Sequence, residues 1–501
     1  VNRVVVVGAG LAGLATACHL SRSGHEVVVV ESQDQVGGRG ARLERGGYAF
    51  DLGPTVLTMR GLLADVVGAA GGDLDALLPM ELLDPAYRAR FHDGSEIEVR
   101  HGHDAMRKEI ELACGPDDAD AFDAFVPWLR RLYEVEMPHF IDRNLDGPLS
   151  LVSRPGPAAR LLAMGGFGRL GRAVERRFTD ERLHRLFTFQ AMYAGLAPRE
   201  ALAIYAVITY MDCIEGVWFP EGGMAAVPRA LARAATDAGV AVHTGRRVTR
   251  VLRRSDGAVA GVELDGGPGS GSDGREAVWA DAVVCTPDLP VVYDRLLPDL
   301  RPPRATRRGR YSPSAVVWHV GVRGDLPAGV RHHNIHFARA WDSSFEALIG
   351  RGEMMPDPSR LVTVPSLTDP SLAPEGGHVL YVLEPAPNLD GRVDWSRQRG
   401  RTRDELAAFL AREGYPTDIV TEELVDPQDW QRQGMARGTP FALAHTFGQT
   451  GPFRPRNHEP RVPGLFFAGS GTVPGVGVPM VLVSGRLAAE RVLAYLPGSS
   501  R

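Results

Sequence analysis

The stretch VNRVVVVGAGLAGLATACHLSRSGHEVVVVES, residues 1–32, decides the fold. It opens with an apolar run of strand length, turns at glycine, and continues over 11–22 with helical periodicity until Gly24 stops it. A second apolar run at 27–30 ends on Glu31, so the order is strand, turn, helix, strand, with a carboxylate at the tip. Gly8, Gly10 and Gly13 fit G-x-G-x-x-G. The first makes the tight turn, the second lets the backbone approach a pyrophosphate, and the third lets the helix pack closely on the strand. Backbone N–H groups from Leu11 and Ala12 onward, at the positive helix end, then face phosphate. Glu31 follows Gly13 by 18 residues, and with Ser32 beside it stands where an acid receives ribose hydroxyls. An acid there disfavours a 2′-phosphate and leaves NAD or FAD.

The next segment separates the two. Gln35-Val36-Gly37-Gly38-Arg39 sets a second glycine pair and a fixed positive fork near the same pyrophosphate, where a plain NAD domain has an ordinary strand-to-helix loop. The order G-x-G-x-x-G, Glu, G-G-R resembles the flavin-binding head of the amine oxidase and phytoene desaturase superfamily, which implies FAD. Residues 48–59, YAFDLGPTVLTM, extend the resemblance. Carotenoid desaturases of the bacterial phytoene type place F-D-x-G-P-T-V-L-T beside the flavin, which assigns Gly53, Pro54, Thr55 and Val56 to the cofactor. Read locally, the same residues are a strand ending in a Gly-Pro turn.

From 62 to about 235 the pattern is mainly helical, with apolar spacing clearest at 121–135 and 181–193. Trp218 and Phe219 read either as core or as an apolar wall beside a flavin. Residues 241–264 return to strand alternation, 266–274 suit a surface turn, and 280–287 read as a buried strand stopped by Pro287. By the resemblance these belong to the flavin domain, with Val248 meeting the adenine through its backbone. Residues 303–427 hold mixed strands, whose apolar runs line a cavity or form sheet core, and a helix at 402–412.

Near the end, 464–469 is a strand running into AGSGTVPGVGVP at 468–479, and a helix follows over 480–493. Strand, glycine loop and helix N-terminus again describe a site for an anion or polar chain. Gly469, Ser470, Gly477, Val478 and Pro479 are therefore expected along the ribityl chain and ring of the same FAD. Ser470 stands where many flavoproteins place an acid.

The expected fold is α/β: a Rossmann-like FAD-binding domain, discontinuous over 1–70, 236–300 and 431–501, with a mixed α/β substrate domain over 71–235 and 301–430. The phytoene desaturase resemblance covers nearly the whole chain and implies stepwise removal of hydrogens from a long apolar polyene. Other readings stay open: a later carotenoid desaturase, a polyene oxidase, an amine oxidase, or a non-redox carotenoid isomerase or lipid carrier. Oxygen and a quinone are both open as electron acceptor. His445 and Glu221 are the candidate proton acceptors.

Composition narrows the rest. A chain of 501 residues with 44% hydrophobic and 23% charged side chains is that of a folded globular protein of two or three units. Net charge of −5 offers no basic field for nucleic acid. Cys18, Cys114, Cys213 and Cys285 form no metal-ligand cluster and read as thiols of a reducing cytoplasm, and no metal site is expected. No apolar run reaches the ~18 residues of a membrane span. Over 149–178, Arg154, Arg160, Arg169, Arg172, Arg176 and Arg177 alternate with apolar residues, the pattern of an interfacial helix on anionic lipid or of a solvated basic face. Peripheral membrane association follows from the first of these.

Overall fold

The computed structural model describes residues 1–152, 155–266 and 275–496. The 266–274 turn and Arg154 of the basic stretch therefore lie, but for Gly266, outside the described residues. The first unit forms as expected: β1 (Arg3–Val7), α1 (Leu11–Leu20) and β2 (Glu26–Val30). Four consecutive valines in β1 and four in β2 suit a parallel sheet covered on both faces, where alternation disappears. That sheet has five strands in the order Leu465–Phe467, Ala282–Cys285, β1, β2, Ala241–His243, all parallel. Its strands come from the start, middle and end of the sequence.

A seven-stranded, mainly antiparallel sheet makes the second layer. Next to one edge, Ser314–Arg323 pairs with Gly377–Ala386 on one side and the edge strand Asp418–Val425 on the other. Both faces of these strands are used. Val316, Trp318, Val320 and Val382 pack with Leu406, Phe409 and Leu410 of the helix Trp395–Arg412. The alternate residues Ala315, Val317, Tyr381 and Leu383 turn to a cavity. The two readings left open for these apolar runs are therefore both true, one for each face.

The stretch expected to be mainly helical also carries strands. Tyr87–Phe91 and Glu96–Val99 complete the seven-stranded sheet, and Met80–Leu83 pairs with Val217–Pro220. Over 149–178 the chain is not one amphipathic helix. It breaks into Leu149–Val152, Pro155–Ala163 and Leu170–Glu175, with Leu161 and Leu170 in the core and Arg177 stacked 4.2 Å over Trp128. Leu162, Arg160, Arg172 and Arg176 remain outside.

The closing helix Val478–Tyr495 lies against α1. A Cβ added at Gly485 would lie 2.6 Å from the Ala12 carbonyl oxygen, and Thr16 Oγ1 donates to the Gly485 carbonyl at 3.1 Å. Only glycine permits this backbone approach, and it brings the two ends of the sequence to one place. No described helix is long and apolar enough to cross a membrane.

Candidate functional site

One continuous cavity of about 1420 Å³ runs between the two sheets, larger than the ~300–1,000 Å³ of ordinary small-ligand sites. Its floor is built from the glycine turns. Gly8, Gly10, Leu11 and Ala12 line it from the first turn, Gly37, Gly38 and Arg39 from the second, and Gly53 to Val56 from the Gly-Pro segment. Gly37 N–H donates to the Ala9 carbonyl at 2.9 Å, so the two turns lie side by side. Gly13 does not line the cavity. It packs behind it, where an added Cβ would lie 2.0 Å from the Gly8 carbonyl oxygen, which is the helix-to-strand approach its place in the motif requires.

Glu31 is buried with a fixed carboxylate: Oε2 accepts from Ala9 N–H at 2.8 Å, and Oε1 from Gln33 N–H at 2.9 Å and Ser32 Oγ at 3.2 Å. Glu31, Ser32 and Val248 line the same end of the cavity floor as the start of α1. From the other end of the sequence come Gly469, Ser470, Gly477, Val478 and Pro479. Arg39 joins the two sets, donating to Ser470 Oγ and to Asp288 Oδ1, each at 2.5 Å.

These residues fit FAD on an observation independent of the motif. The N-caps of the two longest helices that begin at the cavity, α1 and Val478–Tyr495, are glycines, Gly10 and Gly477, and neither helix has a side-chain cap. Their first N–H groups are left for a ligand. At Gly10 an added Cβ would meet nothing closer than the Gly37 carbonyl oxygen at 3.9 Å, so the space above the turn is open to a pyrophosphate. Two uncapped positive helix ends in one cavity suit an extended, anionic, two-ended cofactor.

The candidate proton acceptors separate. Glu221 is exposed on the turn after Val217–Pro220 and does not line the cavity, which removes it from the chemistry. His445 lines the cavity, but burial and the Arg454 charge hold its imidazole well below the usual histidine range. Nε2 faces the Val476 N–H at 3.5 Å, the ring stands edge-on to Tyr205, and an added Cβ on Gly475 would lie 2.2 Å from it. A neutral ring in that place shapes the final glycine loop and is a poor base. Trp218 and Phe219 are outside the cavity; Phe219 packs 4.3 Å from His332, so the core reading holds for it.

Arg454 carries a role that no motif announces. Wholly buried, its guanidinium donates to the carbonyls of Leu443, Gln449, Ser470 and Thr472, and burial pushes its pKa down to about 10. It ties the segment carrying His445 to the loop carrying Ser470. Besides Glu31 and the Arg39-paired Asp288, the buried acids Glu136 and Asp212 line the cavity. Among the described residues no group of His, Cys, Asp and Glu is arranged for a metal, and all four cysteines are free.

Residues 11–493 match the family described as flavin containing amine oxidoreductase. The chain belongs to that family. Within it, a phytoene dehydrogenase of Streptomyces griseus is 50% identical over 498 residues, covering 98% of this chain and 95% of the relative. A zeta-carotene-forming phytoene desaturase of Myxococcus xanthus is 37% identical over 500 residues, covering 99% and 94%. Among solved structures, an oxidoreductase from Methanosarcina mazei superposes with a TM-score of 0.65 at 18% identity, covering 97% of this chain and all of that one, and this likeness speaks to fold alone. This flavoprotein is thus an FAD-dependent oxidoreductase of α/β fold. Bound flavin would supply a two-electron acceptor; the chain supplies the cradle, the mainly apolar cavity and the buried acids.

Proposed function

We propose that the protein is a desaturase of carotenoid biosynthesis, removing hydrogens stepwise from phytoene or a closely related long isoprenoid polyene. The observation that carries this reading is the cavity itself: the flavin cradle opens without a wall into an arm lined by residues such as Phe189, Ile335, Phe337, Trp341 and Leu348. A long hydrocarbon has no polar handle, so it is held by shape and apolar contact along such an arm. The desaturases at 50% and 37% identity over the full chain support the same substrate class.

In this reading the pyrophosphate lies on Gly8 to Ala12, the adenosine ribose on Glu31, the adenine by Val248, and the ribityl chain by Arg39 and Ser470. Gly53 to Val56 and Gly477 to Pro479 flank the ring. The 1–70, 236–300 and 431–501 segments form the flavin domain and the remainder the substrate domain.

The polyene enters from a membrane surface. Phe447 lines the cavity and is yet 56% exposed, and its ring meets Phe167 at 6.2 Å and Phe453 at 5.7 Å, both also lining it. Leu162 nearby in sequence to Phe167 is 66% exposed. Exposed basic groups lie in the adjoining stretches of chain: Arg160, Arg172 and Arg176 around Phe167, and Arg301, Arg304, Arg307 and Arg308. The latter segment is joined to the Phe447 loop by Gln449, which accepts from Arg310 N–H at 2.7 Å and donates to its carbonyl at 2.9 Å. Exposed apolar side chains with exposed arginines in the neighbouring segments suit anionic lipid. A Leu162→Asp, Phe447→Asp protein is expected to fold normally and to bind anionic liposomes roughly tenfold or more weakly in flotation. Unchanged flotation contradicts the membrane mouth; absence of new polyene absorption from phytoene-loaded liposomes contradicts the desaturase reading.

A further inference from the structure

Resting on the desaturase reading, we propose that Asp212 is the group that takes the proton lost from the polyene. Removing two hydrogens breaks two C–H bonds on neighbouring carbons. One hydrogen leaves with its electron pair, for which the flavin is the acceptor. The other leaves as a proton onto a carboxylate oxygen of Asp212, and the electron pair of that C–H bond becomes the second bond of the new C=C. The substrate is oxidised by two electrons and Asp212 ends protonated.

Four observations converge on this residue. Asp212 lines the cavity and is 2% exposed to bulk solvent. It sits on a π-helical turn, Met211–Glu215, a wide turn that recurs at functional sites. Its neighbour Met211 packs with Met59 and Val207, in a cluster that Met480 of the closing helix adjoins. The residue before Asp212 therefore packs in a cluster whose Met59 and Met480 closely follow the segments, 53–56 and 477–479, proposed to flank the flavin ring.

The fourth observation is the set of groups around it. Tyr87 Oη lies 3.5 Å from Oδ2, from the strand Tyr87–Phe91. Gln190, from the turn Phe189–Ala194 that also brings Tyr193, is the neighbour that most favours the charged carboxylate. Cys213 follows on its own turn, and His333 stands behind Tyr87 with ring centroids 5.4 Å apart. Burial pushes the Tyr87, Tyr193 and Cys213 pKa values up and that of His333 down to about 3, so all face Asp212 uncharged at neutral pH. Desolvation raises the Asp212 carboxyl to about 7 against the opposing donors Gln190 and Tyr87. A base poised there is charged enough to act and basic enough to keep the proton. Gln190 Oε1 is buried without a partner, so this polar corner of the cavity has an unused acceptor. Glu136, a further acid of the cavity, has no such donors: its Oε1 is unpartnered and burial alone drives its pKa well above the carboxylate range, which keeps it a neutral acid.

Anaerobic single turnover with phytoene-loaded liposomes across pH, alongside infrared titration of the carboxyl groups, tests the assignment. In the parent protein the rate of polyene formation rises with pH and levels above about 7, and the spectrum contains a carboxyl band, absent from Asp212→Asn, that fades over the same range. Asp212→Asn keeps its flavin and its polyene-induced quenching of flavin fluorescence, yet turns over about 100-fold or more slowly with no acid limb. Asp212→Glu restores the limb. Asp212→Asn at the parent rate, or a limb abolished by Glu136→Gln instead, overturns the assignment and leaves the desaturase reading intact. A protein whose Asp212 band titrates near 7 but which oxidises no polyene overturns that reading, and the assignment with it.

Discussion

A Gly10→Val protein is expected to fold and to purify without flavin. Gly10 has φ −76° and ψ 177°, ordinary extended backbone that valine adopts without strain, and the nearest atom to an added Cβ is 3.9 Å away. The first added carbon therefore meets only ordinary contact distance. The volume it fills is the approach of the pyrophosphate to the uncapped start of α1, and losing that contact is expected to weaken FAD binding about 100-fold or more, roughly 3 kcal/mol. The flavin-to-protein absorbance ratio after gel filtration reads the loss. The denaturation midpoint is compared between apo forms, because bound FAD stabilises the parent protein by mass action. Gly477 is a less discriminating position, since its φ of 114° strains any other residue whether or not a cofactor is present. A Gly10→Val protein that holds FAD as the parent does would place the pyrophosphate elsewhere.

Gly485→Leu is expected to damage the fold itself. The Ala12 carbonyl and the Ala15 Cβ would lie 2.6 and 2.8 Å from the first added carbon alone, and neither is the end of a flexible side chain. The closing helix must move off α1, which also breaks the buried Thr16-to-Gly485 hydrogen bond. Overpacking of this kind costs ~1–3 kcal/mol, and a backbone clash belongs at or above the upper end. The apo protein should lose about 3 kcal/mol in urea unfolding, and FAD content should fall as well, because the same helix presents Gly477 to Pro479 to the cavity. An unchanged midpoint would mean that the two ends of the chain do not depend on each other.

How far the sequence carried these conclusions differs by element. The first 32 residues were legible because glycine spacing and an acid at a strand tip have few structural solutions. The closing loop was legible by the same chemistry, and of the cofactor positions drawn from motifs only Gly13 stands back from the cavity, in the packing role its place in the motif implies. The seven-stranded sheet was half legible: strands such as Ser314–Arg323 are apolar on both faces, so alternation could not tell core from cavity wall. Tyr87–Phe91 was hidden inside a helical stretch, although its YRARF alternates as a strand does. The acids were not legible at all. Asp212 in YMDCIEG and Glu136 at the end of an amphipathic helix read as solvated polar residues, because burial is a property of the assembled fold. Arg454 is silent for the same reason: five donors aimed at carbonyls leave no spacing to find. His445 and Glu221 drew attention as ionisable residues near glycine motifs, and only the structure separates a neutral loop support from an exposed turn residue.

The central step is the passage of electrons from a polyene to the flavin held between the two ends of this chain. Anaerobic mixing of the yellow protein with phytoene-loaded liposomes follows both partners at once. Flavin absorbance is expected to bleach as conjugated polyene bands appear, one FAD reduced for each double bond formed. A flavin that stays oxidised in the presence of phytoene, or polyene bands that grow with no flavin bleaching, would contradict it.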